Sequence, residues 1–87
     1  MFMCKHCLEQ FDDERLAYIL MPESRMNHPA ADAFALKFCS RAHLVEFLQH
    51  ISNQSQSFAL TRVTGETRET FPAARPLELL HQMSQLA

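Results

Sequence analysis

The chain has 87 residues, enough for one domain, and a domain of this size hides only roughly 64% of its unfolded surface on folding. With 47% hydrophobic residues, seven Phe and 21% charged residues, it is too apolar and too weakly charged for a disordered chain, so a globular domain is expected. Eight Lys and Arg against ten Asp and Glu give a formal charge of -2, without the basic excess of a protein that tracks phosphates, which disfavours nucleic acid as a partner.

In chain order, the opening Met1-Phe2-Met3-Cys4-Lys5-His6 lacks the basic-then-apolar order of a secretory signal, and no apolar run approaches the ~20 residues of a membrane span. A cytoplasmic protein without membrane contact is the expectation. Arg15 to Met21 and Ala33 to Phe38 are apolar runs of strand length with a turn signal, Asn27-His28-Pro29, between them. They predict an antiparallel hairpin with a long loop, although helix also suits their Ala and Leu.

From Ser40 to Ile51, Leu44, Phe47, Leu48 and Ile51 recur at i, i+3, i+4 and i+7, which predicts a helix with one buried face. Residues 52–57 are polar and uncharged, with side chains that compete for backbone hydrogen bonds, and read as a connection. Phe58 to Phe71 predicts a second hairpin around Gly65. A Gly65-Glu66 turn pairs Arg62 with Glu69, Thr61 with Thr70 and Leu60 with Phe71, whereas a Thr64-Gly65 turn pairs Phe58 with Phe71, and both registers are open. Pro76 then opens a helix whose Leu79, Leu80, Met83, Leu86 and Ala87 share a stripe.

The chemistry lies in two short motifs. Cys4 and Cys7 form C-x2-C, Cys39 and His43 form C-x3-H, and residues 8–38 separate the pairs. Three cysteines cannot all pair as disulfides within one chain, which in a reducing compartment points to metal ligation or reactive thiols. Two residues between cysteines let the chain fold a knuckle with both sulfurs on one side, and ligands at i and i+4 share the face of a helix start. Together they predict one structural Zn2+ held by Cys4, Cys7, Cys39 and His43, a staple that supplies the folding free energy a small core lacks. Of the other histidines, His6 lies in the knuckle, His50 lies two helical turns past His43 and His81 falls on a distant polar face. His28, in a loop that can fold back, is the rival for the fourth position. A thioredoxin-like role would need Cys4 and Cys7 to follow a strand inside a βαβ pattern, and only three residues precede Cys4. A closed set leaves no position for catalysis, and no nucleophile and base pair is visible, so no enzyme is expected.

The order of knuckle, hairpin and Phe38-Cys39-Ser40 at a helix start, with a ligand four residues after Cys39, resembles the treble-clef zinc fingers of the TRASH and MYM type. A similar pattern occurs in a small zinc protein of the archaeal and eukaryotic large ribosomal subunit. The resemblance spans Met3 to Ile51, and the last ligand, usually Cys in that group, is here His43. It implies a range of roles: ribosomal RNA binding, metal sensing or protein interaction.

The whole predicts an α+β domain, residues 1–87, with a zinc-binding treble-clef-like core over 1–52 and a hairpin plus C-terminal helix over 58–87. Three thiolates and one dication take the formal charge from -2 to about -3, further against RNA. Lys5, Lys37, Arg41, Arg62, Arg68 and Arg75 read as a solvated face balanced by Glu46, Glu66 and Glu69. The apolar tail, from Phe58 to Leu86, is expected first to dock on its own core. Any part left exposed would bind a protein partner or a second copy. The expectation is a protein-interaction module, with an RNA- or ribosome-binding finger as the alternative and a metal sensor or carrier third.

Overall fold

A computed structural model describes residues 1–85. The predicted positions of Leu86 and Ala87 on the last helical stripe lie outside the described residues. Two antiparallel sheets and two helices make up an α+β chain. Phe2–Met3 (β1) and Gln10–Phe11 (β2) form a short ribbon, with Phe2 opposite Phe11. Tyr18–Pro22 (β3), Leu36–Phe38 (β4), Phe58–Thr64 (β5) and Thr67–Thr70 (β6) form a four-stranded sheet in the order β4-β3-β5-β6. Arg41–His50 is helix α1 and Pro76–Gln85 is helix α2.

The first predicted hairpin forms, with Tyr18 opposite Phe38, Ile19 opposite Lys37 and Leu20 opposite Leu36. Its strands start later than predicted because Asp13–Arg15 and Ala31–Phe34 close into 3-10 turns instead. The second hairpin takes the Gly65-Glu66 turn: Thr61 pairs with Thr70 and Arg62 with Glu69, and the Phe71 N–H donates to the Leu60 carbonyl. Two cross-strand contacts on opposite faces support that register, a Thr61 to Thr70 hydroxyl bond of 2.9 Å and an Arg62 to Glu69 ion pair of 2.7 Å. Gly65, at φ +61°, supplies the left-handed backbone that a two-residue hairpin turn needs at its first central position.

Residues 58–85 are not an appendage to residues 1–52. β5 pairs with β3 over five residues, from Tyr18 opposite Arg62 to Pro22 opposite Phe58, and so lies inside the sheet. Tyr18, Leu20, Phe38, Phe58 and Leu60 are buried in one cluster with Leu44 and Leu48 of α1 and Leu79 and Met83 of α2. The helix periods and strand alternation place these side chains together. Arg41, at the start of α1, donates a guanidinium hydrogen bond to the Met83 carbonyl and ties the two helices. The tail therefore docks on its own core, leaving Leu77 as its one large exposed apolar side chain among the described residues. No helix among them is long and apolar enough to cross a membrane.

Candidate metal centre

The four predicted ligands come together from two places in the chain. The knuckle is built by backbone bonds: the Leu8 N–H donates to the Cys4 carbonyl at 2.9 Å and the Cys4 N–H to the Glu9 carbonyl at 3.0 Å. The Lys5 N–H reaches the Lys37 carbonyl at 2.8 Å and fastens the knuckle to β4, two residues before Cys39. On the other side Ser40 caps α1, its hydroxyl accepting from the His43 N–H at 3.2 Å, so Cys39 and His43 flank a fixed helix start.

The Cys39 sulfur lies 3.1 Å from His43 Nδ1, the Cys4 sulfur 3.8 Å from the same nitrogen, and the Cys7 and Cys39 sulfurs are 4.0 Å apart. All four donor atoms lie within 4.8 Å of one another, close enough to hold one metal ion. Cys4 is fully buried and the other three are half-buried.

The charge state of the cluster follows from its surroundings. Burial works against a charged Cys4, but hydrogen bonds from the backbone of Cys7, Cys39 and His6 and from the His43 ring outweigh it and bring its pKa from 9.0 to about 6. Burial, and then the adjacent Cys4 and Cys7 sulfurs, push Cys39 up from 9.0 to about 11. Cys4 is thus a thiolate at neutral pH while Cys39 keeps its proton until a cation offsets the accumulating negative charge. Metal uptake must therefore displace the Cys39 proton at neutral pH, and below about pH 6 the Cys4 proton as well. A competitive chelator titration on either side of pH 6 should show the logarithm of metal affinity falling with acid, and falling more steeply below the break.

No family model, curated protein or solved structure matches this chain. The resemblance to the TRASH and MYM group accordingly rests on the motifs of this sequence and their order alone.

The remaining histidines are accounted for individually. His28, the predicted rival, accepts from the Ala30 N–H at 3.0 Å and packs edge-on against Phe34, so it caps its own turn away from the cluster. His6 is half-buried against the cluster. Its ring lies 5.2 Å from the His43 ring, and its Nε2–H donates to Glu46 Oε2 at 2.6 Å, a link from knuckle to α1 with no sequence signal because the partners are far apart in the chain. His50 lies 6.2 Å from the His6 ring and His81 is on the exposed side of α2, both outside the ligand set.

The knuckle also carries a feature that sequence reasoning missed. Leu8, directly after Cys7, has φ +62° and is 62% exposed. Left-handed backbone costs a non-glycine residue about 1–2 kcal/mol, and here the side chain gains little burial in return.

Proposed function

We propose that this chain is a non-enzymatic zinc-stapled module of treble-clef type that acts by binding another protein. A tetrahedral Zn2+ with about 2.3 Å to sulfur sets its ligands about 3.8 Å apart, and the donor separations of 3.1, 3.8 and 4.0 Å lie around that value. Three thiolates and an imidazole suit zinc, and four protein ligands leave it no open position for a substrate. The order of knuckle, hairpin and helix start fits the treble-clef arrangement.

Leu8 carries the interaction role. An exposed leucine held in left-handed backbone, at a position where glycine would sit without penalty, supports this role, because strain of this kind concentrates at functional surfaces. Met1, Met3 and Leu8 are exposed apolar side chains of the N-terminal ribbon and knuckle, and in this reading they rather than the tail meet a partner.

Leu8→Gly separates folding from function. Relief of left-handed strain, less the extra chain entropy of glycine, should raise stability by about 0.5–1 kcal/mol. The wild-type protein should retain a protein partner from a cell extract in high salt, and the more stable variant should retain less. Equal retention by the variant, or retention only of nucleic acid that falls away steeply as salt rises, contradicts the proposal.

A further inference from the structure

The four-stranded sheet has a second face, turned away from the helices and the metal centre. One row of paired residues crosses all four strands there: Lys37 on β4, Ile19 on β3, Thr61 on β5 and Thr70 on β6. With Arg68, two residues before Thr70 on the same face, they line a concavity of about 410 Å³. That volume is in the range of small-ligand sites, which join an apolar floor to a few convergent polar groups.

The floor is Ile19 and Met21, each half-buried. Lys37 and Arg68 stand on the two outer strands, three interstrand spacings across and two residues along, roughly 16 Å apart in backbone, a span that their two long side chains can bridge from opposite sides. Among the described residues neither cation has a carboxylate within ion-pair distance. Glu69, the acid between Arg68 and Thr70 in sequence, points to the opposite face, where it binds Arg62. Thr61 and Thr70 share one hydroxyl proton between them at 2.9 Å, which leaves one O–H free to donate. Asp32, from the 3-10 turn over Ala31–Phe34, lines the concavity as its one carboxylate, so its lining sums to +1 in a chain of formal charge -2.

We propose that this concavity binds a small organic monocarboxylate, its carboxylate held between Lys37 and Arg68 with the free threonine hydroxyl, and its apolar body laid on Ile19 and Met21. A net lining charge of +1 is neutralised by one anion, and a dianion would meet Asp32 uncompensated. The site is independent of the surface around Leu8 and adds a ligand to the proposed interaction module.

The test is a titration of the full isotope-labelled chain with octanoate and with phenylacetate, followed by amide NMR. The expected result is saturable shifts centred on Ile19, Lys37, Thr61, Arg68 and Thr70. Lys37→Met and Arg68→Met should each weaken binding by about tenfold or more, with spectra otherwise unchanged, while Glu69→Gln on the other face leaves it unaltered. Three results would overturn the proposal: no shifts at these residues with either acid, equal binding of octanol, or equal binding of inorganic phosphate. Octanol would mean an apolar surface only, and phosphate an anion site with no use for the floor.

Discussion

Cys39→Ser is expected to leave the chain unfolded or aggregated. A chain of 87 residues has an expected total stability of about 4–13 kcal/mol, whereas structural zinc contributes on the order of 10–16 kcal/mol in finger peptides. Cys39 is one of the ligands that join the two pairs. It sits between β4 and the cap of α1, 3.1 Å from His43 Nδ1 and 4.0 Å from the Cys7 sulfur, so its thiolate connects both ligand pairs. Serine offers a poor ligand of similar size, and the remaining cysteines would be left clustered without a full set of donors. Far-UV circular dichroism and gel filtration check the outcome. A soluble Cys39→Ser protein that melts cooperatively would show that the fold does not depend on the metal.

The second large effect is expected at Leu60, far from the ligands. Leu60 is fully buried on β5, opposite Leu20 of β3, in the cluster that joins the sheet to both helices. Leu60→Ala removes packing that rigid neighbours cannot replace and should cost about 2–5 kcal/mol, read as a lower midpoint in urea. The mode of unfolding is as informative as its size. Because β5 lies inside the sheet and α2 is tied to α1 through Arg41 and Met83, the metal centre and the tail should unfold in one transition, with metal release and loss of helix coinciding. Two separate transitions, or a loss well under about 1 kcal/mol, would mean that residues 58–85 fold as a separate unit.

These two expectations also mark what was legible in the sequence. The ligand cluster was, because each half is local: two residues between Cys4 and Cys7 and three between Cys39 and His43 set the geometry of a knuckle and a helix face without reference to the rest of the chain. Helix α1 was legible from the recurrence of Leu44, Phe47, Leu48 and Ile51. The sequence left two registers open for the second hairpin, and the one that forms is the one that pairs Arg62 with Glu69 and Thr61 with Thr70.

The pairing of β3 with β5 was not legible. No local pattern links residues 18–22 to residues 58–62, and their alignment depends on burying Leu20 and Leu60 on the same side of one sheet. The two-residue strands β1 and β2 are too short to show an alternation. The strand starts were misplaced where Asp13–Arg15 and Ala31–Phe34 turn, since runs of apolar residues carry no sign of a 3-10 turn. The strain at Leu8 was hidden for a related reason: leucine gives no hint of positive φ.

The central claim is that one zinc ion, held by Cys4, Cys7, Cys39 and His43, staples this fold. Native mass spectrometry with metal analysis, on protein purified without added metal and then on His43→Ala, tests it most directly. The account predicts one zinc per chain in the parent protein, with loss or clear weakening in the variant. A folded parent with no metal and three free thiols would contradict it.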